Sequence, residues 1–580
     1  WPSSCGLVLR PWFEEHPGWL EEELKALDAA GYKHTKDSAL QEAGRIVLTV
    51  KFTIGEDVHD LTVIFPDIYP YFQFQIIAPP SFPKGPHKDP FSGLLCLLQE
   101  PQQKWKTSDT LALILDTKVR DIVKAHQHPE EAGPIEAHEG AQATGYFRYL
   151  RDTVIFTGDW DIPKDHTYGR LLIGLDSGIT PNEIIRGAVL EVQDERKNLL
   201  ARIDPVLEER YSHNHKTVGR WVRLPKPPAS GAENAIFDEA IQLWSEIAGP
   251  KLNNGPDIVG LLFPEEVEYK KPHQENWVFV VRRKVKHPHD KHTQIQTYLA
   301  RADRASRANN YARVSRLAPI ENKKVLVVGL GAIGSICAWQ LARAGIGHMH
   351  FLDYDYLQLG NSPRWLFGWS ASGYYKADVL KHYLERQYPF VKVTMDVHKI
   401  GDANFQLENR RDIEIIENAL TGADLVLDAT AEKCVNHFLS DLARERGVPY
   451  LWATGTPGSR GGTVGRIIPG RTEGCWKCYQ HSLFDGTIKN PAHENVPNIQ
   501  PVGCFHPTFT GTGFDMDHIA LAAVRLAVST LCAGKEGAYP DFGWDVGIVD
   551  LWGEDEMPIA PKWHIYPLQR HAECDCNARR

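Results

Sequence analysis

Lys323–Arg364 reads KKVLVVGLGAIGSICAWQLARAGIGHMHFLDYDYLQLGNSPR. The apolar, β-branched run Val325–Val328 ends at Gly329-x-Gly331-x-x-Gly334, an Ala- and Leu-rich helical pattern follows, and a second apolar run stops at Asp353. Strand, glycine turn, helix and strand in that order let the backbone approach a phosphate at a helix N-terminus and place an acidic side chain on the next strand to take ribose hydroxyls. The stretch therefore predicts a parallel, doubly wound α/β unit that binds a nucleotide.

A glycine turn of this kind is most often owned by a dinucleotide oxidoreductase, and a NAD-dependent or flavin enzyme is one reading. The residues that follow favour ATP. Asp355, Asn361, Arg364 and Lys376 come next, then a buried-looking strand, ADLVLDAT, that ends at Asp428. Cations beside paired carboxylates suit a triphosphate bound with magnesium, since the cations take phosphate charge and a carboxylate holds the metal.

Asp353-x-Asp355, Asn361-x-x-Arg364, Lys376 and Asp428, set out after GLGAIG, resemble the ThiF-type adenylation domain of the ubiquitin-activating superfamily, which includes the bacterial sulfur-carrier activators. The likeness runs from about Tyr311 to His571. It implies that Asp353 binds the ribose, that Asn361, Arg364 and Lys376 hold the triphosphate, and that Asp428 ligates Mg2+. The family also has an arginine, in a Tyr-x-Arg stretch, that reaches across a homodimer to the partner's ATP. Arg313 in Tyr311-Ala312-Arg313 resembles it, with Arg316 as the substitute; as a charge run, RADRASRANNYARVSRL otherwise reads as a basic, helix-compatible, solvated face.

The 580 residues suggest about three to five domains, and 42% hydrophobic content supplies real cores. No apolar run approaches the roughly 18 residues that a membrane helix needs. Trp1–Trp12 has neither a basic cap nor an apolar stretch of signal length, so the expectation is a cytoplasmic protein without a membrane partner. A net charge of −10 with no long basic block argues against a nucleic-acid partner. Ten unevenly spaced cysteines do not make a disulfide framework, which leaves metal ligation or nucleophilic chemistry. Cys337, Cys434 and Cys532 sit in apolar helical patterns and are expected in the core.

From the N-terminus, WFEEHPGWLEEELKALDAA has helical spacing with Gly31 as a stop, and RIVLTVKFTI, HDLTVIF and FQFQIIAP read as an antiparallel meander. A proline-rich loop with Cys96 follows, then Trp105 and a helix near Thr110–Lys124. This order resembles the ubiquitin-conjugating fold. His87 stands where that family has His-Pro-Asn, and Cys96 in GLLCLL stands where its acceptor cysteine belongs. Lys88 and Asp89 replace the proline and asparagine, so the oxyanion-stabilising group is unassigned; Asp89 is a candidate to orient an incoming amine. Taken alone, a cysteine between leucines also reads as a small buried hydrophobe.

Residues 126–145 are polar, rich in Gly, Pro and Glu, and read as a linker. The segment 146–302 mixes apolar strands (RLLIGLD, GAVLEV, NWVFVVRRKV) with a helical pattern, IFDEAIQLWSEIAG, and reads as a mixed α/β spacer of open role. Beyond Asp428, Cys475-x-x-Cys478 is half of a tetrahedral Zn2+ site that Cys574-x-Cys576 could complete, as a second cysteine pair does in related activators; the alternative is four unliganded thiols. Cys504, before a Gly/Thr-rich turn and the helical DHIALAAVRLAVSTL, stands where activators of this family form a thioester.

The whole is an α/β and α+β multidomain chain: a ubiquitin-conjugating-like domain over 1–130, a spacer over 146–302, and a Rossmann-like ThiF-type adenylation and thioester domain over 303–580. It resembles the fused activating and conjugating enzymes of bacterial CBASS antiphage operons. That resemblance implies a protein substrate with an activated C-terminal tail, either a CD-NTase or a ubiquitin-like protein, and an acceptor protein amine. A sulfur-carrier activator with a noncatalytic N-terminal binding module is the other reading.

Overall fold

The computed structural model describes residues 10–83, 87–89, 91–98, 104–127, 147–176, 186–212, 215–228, 232–248, 256–265, 274–286, 293–401, 411–494 and 509–577. Two compact units divide the chain, Trp1–Ala305 and Ser306–Arg580.

The first unit begins with a short helix, Trp12–Glu15, and helix α1, Pro17–Ala29. A four-stranded antiparallel sheet follows, β1 (His34–Lys36), β2 (Val47–Ile54), β3 (Asp57–Ile64) and β4 (Gln75–Ile77), in the order β1-β2-β3-β4. Along β2, Leu48, Val50 and Phe52 are buried while Lys51 and Thr53 are exposed, the period of two that a one-sided sheet imposes. These residues share one core with Leu20 and Leu27 of α1 and with Leu111, Leu115 and Val119 of a later helical stretch. That stretch runs Leu111–Ile114, Leu115–Val119 as a π turn, and Arg120–Gln127. Glu23, buried on α1, ties the layers together: it accepts hydrogen bonds from Tyr69 Oη at 2.5 Å and from Leu111 N at 2.7 Å.

Eight further strands form a second sheet: β5 (Tyr149–Thr157), β6 (Tyr168–Leu175), β7 (Arg186–Asp194), β8 (Leu199–Arg202), β9 (His215–Arg223), β10 (Asp257–Glu265), β11 (Gln274–Lys286) and β12 (Thr293–Arg304). Their order is β5-β12-β11-β10-β9-β6-β7-β8, and β5 also pairs with β7, so seven strands close into a ring. The segment read as a mixed α/β spacer is a sheet closed on itself with helices beside it. Its apolar runs are unbroken because both faces are buried. Ile258, Leu262, Trp277, Phe279, Val281 and Tyr298 share one cluster, while Val259, Leu261, Phe263, Val278, Val280 and Leu299 share another with Ile236 and Phe237 of helix α2, Glu233–Leu243. Arg301–Arg304, read as helix-compatible, instead ends β12, where its residues pair in register with Val154–Thr157 of β5.

The second unit is built on an eight-stranded sheet of β13 (Lys324–Val328), β14 (His348–Leu352), β15 (Lys392–Asp396), β16 (Leu425–Asp428), β17 (Tyr450–Gly455), β18 (Gly461–Ile467), β19 (Val546–Trp552) and β20 (Pro558–Tyr566). The order is β15-β14-β13-β16-β17-β18-β19-β20; the first five strands are parallel and the rest antiparallel. Helices α3 (Ala332–Arg343), α4 (Lys376–Gln387), α5 (Lys433–Glu445), α6 (Trp476–Phe484) and α7 (Gly513–Cys532) cover its faces. Val325 and Val327 face a core shared with α3, α4 and α7, and Leu326 and Val328 face one shared with α5 and α6. Cys337 and Cys532 lie in the first of these cores. Cys434 does not: it is exposed on the first turn of α5, off the face formed by Val435, Leu439, Leu442 and Ala443. No helix among the described residues is long and apolar enough to cross a membrane.

Candidate nucleotide cleft, cysteine cluster and surface thiol

β13 lies between β14 and β16, and the chain passes outward through β14 and β15 before crossing back to β16. The crevice at the C-terminal ends of these strands is a topological switch point, where open parallel sheets take their ligands. A cleft of about 650 Å³, partly open to solvent, occupies it and is lined by Gly329, Gly331, Asp353, Asp355, Lys376, Lys399, Thr430 and Glu432 among others.

The glycine turn has the shape this requires. Gly329 has φ +80°, and a Cβ on Gly334 would lie 1.9 Å from the Gly329 carbonyl oxygen, so turn and helix close only on glycine. Beside Gly331 there is open space, and the first N–H groups of α3 face the same end.

Asp353 is buried at the mouth of β14. Its Oδ2 accepts from Leu330 N at 2.5 Å and its Oδ1 from Asp355 N at 2.7 Å. Burial pushes its carboxyl up from the usual range, against the charge of Lys376 and these two N–H groups. Each oxygen keeps a lone pair, enough to accept from hydroxyls. Lys376, at the start of α4 and also buried, donates to Asp355 Oδ2 at 2.5 Å.

Asn361 and Arg364 do not line the cleft. Asn361 Oδ1 accepts from Gln358 N at 3.1 Å, and the Arg364 guanidinium lies 5.8 Å from the ring centre of Phe509, with its pKa lowered by burial. Their segment is tied to the turn next door, since Trp365 Nε1 donates to Leu330 O at 2.6 Å. Arg313 is exposed, in a 3₁₀ stretch over Ala312–Asn322. Cys504 lies outside the described residues.

Asp428 is occupied by the fold. It is fully buried; Thr430 N and Thr430 Oγ1 donate to Oδ1 at 3.0 and 2.7 Å, and Asn436 Nδ2 and Tyr450 Oη donate to Oδ2 at 2.8 and 2.9 Å. Four donors leave no oxygen directed at the cleft, so Asp428 does not fit the role of magnesium ligand. Position alone, at the end of a strand beside the glycine turn, could not reveal this.

In the cysteine cluster, the Sγ atoms of Cys475, Cys478, Cys574 and Cys576 all lie within 4.8 Å of one another. Cys475–Cys478, Cys475–Cys574 and Cys478–Cys576 are 3.7, 3.5 and 3.6 Å apart. Zn–S bonds of about 2.3 Å in a tetrahedron give sulfur separations of about 3.8 Å, so the set fits zinc. Burial pushes the Cys475 and Cys574 thiols up to about 11, and four crowded thiols give up their protons readily only to a cation. The one-residue spacing of Cys574 and Cys576 is accommodated by a 3₁₀ turn at Asp575–Asn577.

Cys96 sits on a short antiparallel strand pairing. Its N–H donates to His87 O at 2.8 Å, and Lys88 bridges to Leu95. Leu95 and Leu97 turn into the core and Cys96 between them is exposed, which sets aside the reading of a buried hydrophobe. Asp89 is a turn-former here: its carboxylate accepts from Phe91 N at 2.8 Å and from Ser92 Oγ. Lys88 is buried and donates to Pro79 O and Phe82 O at 3.1 and 3.0 Å.

Residues 305–535 match the ThiF family. The second unit carries a ThiF-family domain. The cleft, with its glycine turn, Asp353 and Lys376, lies within it. Over almost its whole length the chain is similar to the uncharacterized protein y4oA of Sinorhizobium fredii, at 27% identity across 98% of each protein. It is also similar to the ATP-dependent ubiquitin transferase-like protein Cap2 of Enterobacter hormaechei, at 26% identity across 37% of this chain and 34% of Cap2. Ubiquitin-like modifier-activating enzyme 5 of Bombyx mori is 33% identical across 23% of this chain and 32% of that protein. The ThiF-family domain is thus related to ubiquitin-activating enzymes.

Proposed function

We propose that the chain activates the C-terminal carboxylate of a protein with ATP and relays the acyl group to an amine. The cleft supports this most directly: a glycine turn, a ribose-suited carboxylate and a buried lysine converge at the switch point of a ThiF-family domain. A carboxylate is a poor acyl donor because it is anionic and its oxygen leaves badly. Attack of that carboxylate on the α-phosphate of ATP forms the acyl–AMP anhydride and expels pyrophosphate. Backbone N–H groups of the turn and Lys376 hold the phosphates, with Arg364 and Asn361 close by on the segment that Trp365 fixes, and Arg313 is the candidate finger for a partner in a homodimer. Magnesium, when bound, neutralises phosphate charge as the bond to pyrophosphate breaks.

Cys504 thiolate then attacks the acyl carbon and AMP leaves, giving a thioester. Cys96 takes the acyl group by thiol exchange and an acceptor amine takes it from Cys96. The exposure of Cys96 between two buried leucines supports this last role. Zinc on the four cysteines is structural, since a closed four-sulfur site leaves no open position. The similarity to Cap2 supports a place in CBASS defence, with a CD-NTase or a ubiquitin-like protein as the activated partner and the cytoplasm as the compartment.

Non-reducing gels after incubation with ATP, Mg2+ and the soluble proteins of the source cell test the relay. Wild type gives a thiol-sensitive adduct; C96S retains the adduct on Cys504, and C504S shows none. An adduct on Cys96 in C504S would contradict the order of transfer.

A further inference from the structure

The two segments that carry the four cysteines also carry a second group of metal-binding side chains. On α6, Cys478 is followed three residues on by His481, and four residues further by Asp485 at the C-cap, so all three share one face of the helix. In the C-terminal stretch, His571 and Glu573 precede Cys574 and Cys576, and Cys574 N donates to His571 O at 3.1 Å. The imidazoles of His481 and His571 stack with ring centres 4.9 Å apart. One ligand atom from each of His481, His571 and Glu573 lies within 4.8 Å of the other two, and His481 Nδ1 is 3.9 Å from Glu573 Oε2. Asp485 Oδ2 lies 2.9 Å from His571 Nε2. An ionised carboxylate only accepts, so Nε2 carries the proton and Nδ1 the lone pair. A carboxylate behind a histidine in this way is the arrangement that orients a metal ligand. The C-terminal end of α6, where the group sits, favours a cation.

We infer that His481, His571 and Glu573 hold a divalent transition-metal ion, separate from the zinc of the four cysteines. Metal–nitrogen and metal–oxygen bonds of about 2.1 Å put tetrahedral ligand atoms about 3.4 Å apart, so modest rotation of the three side chains closes the set. His571 Nδ1 accepts from Glu573 N at 3.2 Å, a long bond that the cation replaces, and Asp485 holds the ring in place. Two imidazoles and a carboxylate suit zinc, cobalt or nickel, whereas magnesium and calcium take oxygen ligands. Three protein ligands leave a fourth position open to water. Glu573 is exposed and His481 partly so, so this ion exchanges with solvent and leaves on dialysis, while the sulfur-bound zinc stays. Bound, it ties α6 to the C-terminal stretch at a second level.

The test uses the full chain, dialysed against a mild chelator that leaves the sulfur-bound zinc in place, with Co2+ as the probe. Wild type is expected to take up about one equivalent of Co2+, with weak ligand-field absorption and no sulfur-to-cobalt charge-transfer band. H481Q and E573Q are each expected to lose about tenfold or more in Co2+ affinity, and D485N a comparable amount, the usual scale for removing the partner of a ligating histidine. Retained zinc and an unchanged melting temperature without cobalt show that the fold is kept, which E573Q, at an exposed side chain, is expected to satisfy. Absence of saturable uptake in wild type, wild-type uptake in both H481Q and E573Q, or uptake that carries a sulfur charge-transfer band would overturn the site.

Discussion

Two buried carboxylates within one site are used in opposite ways. Asp353 accepts one backbone N–H on each oxygen and still faces the cleft, whereas Asp428 accepts four protein donors and faces none of it. Sequence position made them look alike, because both end an apolar strand; only the donors around each distinguish them. The glycines, Asp353 and Lys376 were legible because their roles follow from spacing and charge. Lys376 places a buried cation at the cleft, so K376A is expected to slow ATP–pyrophosphate exchange by about 100-fold or more, the usual scale for losing a preorganised electrostatic contact. His350 gives a pH signature away from the site: burial holds its imidazole down to about 4. Its folded pKa lies below the unfolded value, so its contribution is present at neutral pH and fades as pH falls from about 6.5 towards 4. Denaturant titrations at pH 7 and pH 5 are expected to show a loss at pH 5 that H350Q reduces.

At the level of elements, the parallel strands and the helices α3 and α7 could be read because burial on both faces leaves unbroken apolar runs and helical periods in the sequence. The closed ring of β5–β12 could not. Strand existence is local, but closure depends on β5 pairing both with β7 and with β12, the latter more than a hundred positions further along the chain. The contact of turn and helix at Gly334 yields a sharp expectation. G334A puts a methyl group against the Gly329 carbonyl, and nucleotide affinity should fall by at least about tenfold with about 1–3 kcal/mol of lost stability. The cysteine cluster joins α6 to the last described turn, Asp575–Asn577. Elemental analysis is expected to find about one zinc per chain, lost in C475S together with a fall in melting temperature of about 5 °C or more.

For the molecule as a whole, the account is a chain that holds an activating cleft and a surface thiol in one polypeptide. Covalent linkage raises the effective concentration of one sulfur near the other, towards the millimolar range for flexible links. Transfer to Cys96 in wild type is therefore expected to proceed at a rate independent of protein concentration. The central claim, that the cleft spends ATP on a protein's C-terminus, is met most directly by exchange of labelled pyrophosphate into ATP. The full chain is mixed with soluble protein of its source cell, before and after carboxypeptidase digestion. The account predicts exchange that digestion of the protein fraction abolishes and that K376A lacks; exchange indifferent to digestion, or none in any fraction while a nicotinamide dinucleotide binds the cleft, would contradict it.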